Sequence, residues 1–207
     1  MHLPDPHQIH DLPALEALFG DVGEASRRKE VDHLHPVYRQ WIEAAPFAVL
    51  ATAGPGGLDA SPRGDPAGLV TVVDAHTLRL PERRGNNRID SLRNILVDPR
   101  VALLFLIPGV GETLRVNGRA RITADPGLLQ QMAMDGAPPK CVIEVRVERV
   151  LFQCARAMQR SKLWASAGAR PDGVPSAGRM LAALTEDAID GAAYDRELPE
   201  RQRTTLY

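Results

Sequence analysis

This 207-residue sequence predicts a mainly β (α+β) fold: an antiparallel barrel or sandwich with flanking helices. Three observations lead there. Between residues 46 and 156, apolar and polar residues alternate at the two-residue period of strands, in about seven short runs. Short Gly, Pro and Asp turns join these runs, with too few crossover helices for a doubly wound parallel sheet. A composition of 44% hydrophobic and 25% charged residues supplies a packed core and a solvated surface, which excludes collagen, a disulfide scaffold and wholesale disorder.

The elements follow in order. Residues 1–45 read as a helical extension. Leu12, Leu15, Leu18 and Phe19 recur at helical spacing after Asp11, a good N-cap with Pro13 just inside, and Val37, Trp41 and Ile42 form a second stripe after Pro36. From residue 46 to 166 the pattern is that of the barrel. Phe47 to Thr52 is an apolar run that Gly54-Pro55-Gly56-Gly57 turns back into Leu58 to Arg63. Leu69 to Val73 and Thr77 to Leu80 are two further strands. Asn87 to Leu96 reads as a helix with Ile89, Leu92, Ile95 and Leu96 on one face, ended by Asp98-Pro99. The continuous apolar run Val101 to Ile107 reads as a central strand. Glu112 to Thr123 alternates strictly, Asp125-Pro126 opens a short helix to about Met134, and Val142 to Cys154 is a long strand. Met158 to Trp164 reads as a helical turn. Residues 167–207 read as a loop over 168–176, a short helix from Ala177 to Leu184, and an acidic, partly disordered tail carrying Glu186, Asp187, Asp190, Asp195, Glu197 and Glu200.

A formal net charge of −1 argues against a general nucleic-acid binder or a membrane-surface protein. No apolar run reaches the roughly 18 residues of a membrane span, and the opening Met1 to His7 has no signal pattern. Cys141 and Cys154 form no secreted framework, Cys141 reading as a small buried hydrophobe, so the chain is expected in the cytoplasm. The pairs His7/His10 and His33/His35 lack a ligand set at zinc spacing, so no metal site is expected. The Gly54–Gly57 turn lacks the Gly-Lys-Ser/Thr ending of a phosphate loop, and no Gly-x-Ser-x-Gly elbow is present.

The near-neutral total hides an uneven distribution. The bases are 22 Arg and 3 Lys, and from Arg79 to Arg121 nine Arg face four acids, a local +5. Pro81-Glu-Arg-Arg-Gly-Asn-Asn-Arg88 lies where a strand ends and a helix begins. Helix N-terminal amides, Asn side chains and guanidinium groups together make a phosphate seat. Ser61-Pro62-Arg63-Gly64-Asp65 puts another Arg at a strand end, flanked by small residues that let a ligand approach.

Ser61-Pro-Arg-Gly-Asp65, Leu80-Pro81, Gly85-Asn-Asn-Arg-x-Asp-Ser-Leu-Arg-Asn94, Pro99, Glu112-Thr-Leu-Arg-Val-Asn-Gly-Arg-Ala120 and Arg160-Ser-x-Leu-Trp164 stand in register over about residues 45–165. In that order and spacing they resemble the pyridoxamine 5′-phosphate oxidase-like, FMN-binding split-barrel family, and within it a bacterial subgroup of FMN-dependent enzymes. The resemblance implies a six-stranded antiparallel split barrel and a homodimer with FMN at the subunit interface. It implies that Arg63 and Arg88, helped by Asn87, hold the phosphate, and that the backbone of Ser61 to Asp65, including Gly64, and of Leu80-Pro81 lines the ring and ribityl chain. Thr113 and Arg115 would reach the ring or phosphate region, and Arg160, Ser161 and Trp164 would come from the other subunit.

The implied activity is an FMN-dependent oxidoreductase passing a hydride through flavin N5, from a small-molecule substrate or a reduced nicotinamide. True pyridoxamine phosphate oxidases carry a lysine near the place of Gly68 and an Arg-x-His motif where this chain ends Glu200-Arg-Gln-Arg-Thr-Thr-Leu-Tyr207, which counts against vitamin B6 oxidation. Two rival readings keep the fold. One is a flavin-binding or storage protein without turnover; the other is a split barrel using a deazaflavin or haem. A nucleic-acid role comes last, because only nine Phe, Trp and Tyr are present and the tail is acidic.

Overall fold

A computed structural model describes residues 5, 7–165, 168 and 170–207. Of the opening Met1–His7, read as lacking a signal pattern, only Asp5 and His7 are described. The expected boundary at 166–167 and residue 169 of the expected loop lie outside the described residues. None of the described helices is long and apolar enough to cross a membrane.

Seven strands form one antiparallel sheet: β1 (Phe47–Gly54), β2 (Gly57–Gly64), β3 (Thr71–Asp74), β4 (Thr77–Glu82), β5 (Arg100–Leu106), β6 (Thr113–Thr123) and β7 (Cys141–Gln153). Their order is β2-β1-β5-β6-β7-β4-β3, one strand more than the six implied by resemblance. The added strand is short β3, a hairpin partner of β4 at the sheet edge. Flat, β2 and β4 would stand five strand spacings apart, about 24 Å. Arg63 on β2 nevertheless reaches Glu82 on β4 at 2.6 Å. The sheet is therefore curled into a barrel, and side chains bridge the split where no backbone ladder joins β2 to β4 among the described residues.

The curl follows from the alternation. Leu114, Val116 and Ala120 of β6 and Ile143, Val145 and Val147 of β7 point inward, with Leu50, Leu78, Leu80, Leu103 and Phe105, and all are buried. A bulge opposite Asn117/Gly118 resets the register of β7, so that Val150 returns to the interior. The tight turn expected at Gly54–Gly57 closes β1 onto β2 through the Gly54/Gly57 pair, with Gly57 at φ +111°.

Helices cover the barrel. α1 (Leu12–Glu16), α2 (Glu24–Arg28) and α3 (Pro36–Ala44) precede it, and Asp11 caps α1 by accepting from the Ala14 N–H as expected. The apolar residues of α1 nonetheless stay exposed, whereas α3 buries Ile42. α4 (Asp90–Val97) starts three residues later than the expected Asn87, because Asn87 and Ile89 adopt left-handed φ of 59° and 53°. Its inward face is half the expected one, with Ile95 buried and Leu92 packed against the core. Ser91, Asn94 and Ile95 are buried, while Ile89 and Leu96 are exposed. Asn94 donates to the Thr52 hydroxyl at 3.1 Å, and α4 approaches β1 so closely that a Cβ on Gly54 would sit 2.2 Å from Asn94 Oδ1. A polar helix face thus packs on the barrel.

After the barrel come α5 (Pro126–Gln131, between β6 and β7), α6 (Arg156–Ser161), α7 (Ala177–Leu184) and α8 (Gly191–Thr204). The acidic segment expected to be partly disordered is helical α8, which packs on α7. Asp195 ties the pair by accepting from the Gly178 N–H at 2.8 Å and from the Ser176 hydroxyl. A charge-rich composition reads as solvated chain until a partner helix gives its small residues something to pack on.

Candidate functional site

The ends of β2 and β4 and the loop into α4 enclose a cleft of about 430 Å³, within the range of small-molecule sites. Among the predicted residues, Ser61, Arg63, Gly64, Pro81, Asn87 and Arg88 all line it. Asp65 sits just behind, 3% exposed in its side chain, and takes a 2.8 Å ion pair from Arg83. Leu80 points into the core and is fully buried. Segments that are 20 to 30 residues apart in sequence meet here because β2 curls onto β4.

Arg63 is held on several sides. Its Nη1 donates to both Glu82 oxygens at 2.6 Å, and its Nη2 to the Ser61 and Ser91 hydroxyls at 3.2 Å. Ser91 donates in turn to Asp59 at 2.5 Å. The Nε of Arg63 is buried and has no partner among the described residues. Such an orphaned donor is costly unless a ligand accepts from it. Arg88 is exposed and bonds Asp90 at 2.8 Å, which pushes its guanidinium pKa further up. It therefore stays charged at the mouth of the cleft.

The loop from Gly85 to Ile89 is strained. Asn tolerates a left-handed φ, but a β-branched Ile at 53° is an outlier. Strain of that kind concentrates where a backbone must present groups to a ligand. The cleft carries the cations Arg63, Arg83, Arg84, Arg88 and Lys140 against Asp59, Glu82 and Asp90, so it has an excess of positive charge. Cys141, expected as a buried hydrophobe, is only half-buried and borders the cleft; burial, with the Glu82 charge adding, pushes its thiol pKa up.

The remaining predicted residues gather elsewhere. Thr113 faces Gln153 across the β6–β7 ladder, whereas Cys141 at the cleft is the opposite end of β7. Along β7 twelve residues separate the two, but across the sheet Leu114 lies level with Arg63 through Phe105 and Ala48, three strand spacings or about 14 Å away. Arg115 faces Leu151 on the same end. Trp164 donates its indole N–H to Val110 O at 2.8 Å, beside the turn into β6. Arg160 and Ser161 lie exposed on α6, which follows that end of β7. The predicted set thus falls into two groups three strands apart on the sheet. The second group has its own orphans: Arg115 Nε and Asn117 Oδ1, two residues apart on one face of β6, are buried without partners among the described residues.

Sequence reasoning missed Glu82, Ser91, Asp59, Arg84 and Lys140. Glu82 and Ser91 stood inside the segments singled out, but only the curl shows that both serve Arg63. Lys140 precedes β7 and reaches Asn87 Oδ1 at 2.8 Å, a contact 53 residues apart with no local signal.

The model of the pyridoxamine 5′-phosphate oxidase family matches residues 34–154, more than half of the chain. The chain belongs to that family. The match spans the barrel and stops short of α6, α7 and α8, so the pyridoxamine 5′-phosphate oxidase resemblance read from Arg160, Ser161 and Trp164 lies beyond it. No curated protein matches the chain. Among solved structures, it is similar to a single-substitution form of HupZ from Group A Streptococcus, at 21% identity and a TM-score of 0.45, covering 58% of this chain and 99% of that one. It is also similar to General Stress Protein 26 from Bacillus anthracis (16%, TM-score 0.41, 55% and 88%). A FAD-binding protein from Mesorhizobium loti is a third (19%, TM-score 0.39, 55% and 87%).

Proposed function

We propose that the protein is an FMN-dependent oxidoreductase of the pyridoxamine 5′-phosphate oxidase-like class, acting as a homodimer. The observation that carries this is the convergence of Arg63, Arg88, Asn87 and Ser61 in one cleft, with the buried Arg63 Nε left without an acceptor. A phosphate suits that donor set: two guanidinium groups at fixed angles, an amide and a hydroxyl. Glu82 and the two serines hold the Arg63 fork in place, so little side-chain freedom is lost when Nε and its face take a phosphate oxygen. Arg88, exposed at the mouth, supplies the second guanidinium contact.

FMN, when bound, supplies the hydride-accepting chemistry. The chain's residues supply orientation and electrostatics. Pro81 and Gly64 line the cleft without a polar side chain that would compete for the ring. Arg115, whose Nε lacks a partner, is a cation suited to the electron-rich edge of a reduced ring. A second copy would bring its Thr113, Arg115 and Trp164 to the first copy's cleft. Two separate groups of predicted residues on each chain suit a twofold dimer with two composite sites.

The test is optical. Purified protein should be yellow, or should quench FMN fluorescence on titration, and should sediment as a dimer whose flavin bleaches on addition of a reduced nicotinamide under anaerobic conditions. Colourless protein with no response to FMN overturns the cofactor assignment. Bound flavin that no nicotinamide or other reductant bleaches faster than free FMN leaves a binding protein without turnover.

A further inference from the structure

Beside the cleft lies a second cavity of about 400 Å³ that the proposed seating of FMN does not use. Arg83, Arg84, Asn87 and Lys140 border both cavities, so the two adjoin, and Pro138 and Tyr207 line only the second. The Tyr207 side is fixed. Asp65, nearly buried, accepts from Arg83 at 2.8 Å and, on its other oxygen, from the Tyr207 hydroxyl at 3.0 Å. Arg83 also donates to Met132 O at 2.7 Å and lies 5.8 Å from the centre of the Tyr207 ring.

The charges differ from those of the first cleft. There, Arg63 and Arg88 each have a carboxylate partner. Here no Asp or Glu side chain lines the cavity among the described residues. Arg84 makes no ion pair among them, and Lys140 bonds only the neutral Asn87 amide. Two uncompensated cations facing one cavity create a positive potential that an anion relieves. An aromatic ring and a proline beside them offer a flat apolar platform, which suits a nucleobase.

We propose that this cavity is a second phosphate subsite, in which Arg84 and Lys140 hold phosphate and Tyr207 seats a base, so that the chain takes an adenosine diphosphate moiety beside the FMN phosphate. The proposal rests on the reading of the first cleft as an FMN seat. The moiety has two sources, the ADP half of a flavin dinucleotide or a separate adenine nucleotide, and both present the same phosphates and ring.

The experiment is calorimetric titration of flavin-free protein with FMN and with FAD, and of FMN-saturated protein with ADP. Wild type, Arg84→Ala/Lys140→Ala and Tyr207→Leu are compared. Loss of two charged phosphate contacts is expected to weaken FAD, or ADP on the FMN-loaded protein, by about tenfold or more. FMN should weaken less than FAD or ADP in that double variant, because the Arg63 fork keeps its partners, whereas Tyr207→Leu, which lines only the second cavity, should leave FMN affinity within about fivefold. FAD tighter than FMN without ADP binding identifies the tethered source, and ADP binding to FMN-loaded protein the separate one. The subsite is overturned if FMN binds while FAD is no tighter and ADP gives no heat, or if the double variant weakens FMN as much as FAD. Failure of FMN itself to bind overturns the first cleft's reading instead.

Discussion

Replacing Arg63 by Ala tests the element that closes the barrel and builds the cleft at once. The side chain is 16% exposed and its partner Glu82 17%, so both charges are largely out of water. Truncation removes two 2.6 Å bonds to Glu82 and the contacts to Ser61 and Ser91, and leaves the Glu82 carboxylate without a counter-charge. Removing one partner of a fully buried pair costs about 3–5 kcal/mol. Residual solvent access to this pair lowers the expectation to about 2–4 kcal/mol. For a chain of this size that is a fall in Tm of about 4–16 °C. Urea unfolding of Arg63→Ala, Glu82→Ala and the double variant forms the assay. Because Glu82→Ala strands the guanidinium in the same way, the double variant should cost much less than the sum, with a coupling of about 2 kcal/mol. Losses that add within about 0.5 kcal/mol would refute the reasoning that this pair bridges the split.

Three further outcomes are expected. Arg88→Ala should weaken FMN binding by about tenfold to a hundredfold, the value of one charged hydrogen bond, whereas Arg100→Ala, paired with Asp98 away from the cleft, should leave it unchanged; fluorescence titration decides, and equal effects would reduce the phosphate seat to general surface charge. Gly118→Ala places a Cβ 2.2 Å from Arg146 O in the β6–β7 ladder, so it should destabilise by about 1–3 kcal/mol, against no change at Gly56→Ala, where nothing lies within 4 Å; equal urea midpoints would contradict that packing. Burial opposes ionisation of Glu144, but bonds from Arg121 and Arg79 outweigh it and hold the carboxyl below its ordinary value. Its contribution is thus complete above the unfolded-state pKa and lost as pH falls through the lower folded one, and Glu144→Gln should flatten the acid limb of the stability curve.

How far the sequence could be read depends on the range of the interaction. Strand alternation is written residue by residue, so β6 and β7 were legible almost to their ends, as were the Asp11 and Asp125 caps and the Gly54–Gly57 turn. The start of α4 was not, since the left-handed Asn87 and Ile89 are imposed by the loop's surroundings against local preference. The acidic segment was misread for a related reason: the order of α8 comes from its contact with α7.

The site divides along the same line. By itself the sequence determined which residues to propose for a phosphate, because Arg63, Asn87 and Arg88 at element ends are a local pattern, and it determined the family they resemble. Only the tertiary structure decided what surrounds them. Glu82 and Ser91 grip Arg63 because the sheet curls, Lys140 and Tyr207 arrive from distant segments, and the Thr113–Arg115–Trp164 group lies at the far end of β7. Local backbone preference acts over a few residues, whereas the closure of a barrel sums contacts across the whole chain. The residue types of the candidate site are therefore local information, and its charge balance and its assembly from distant segments are not.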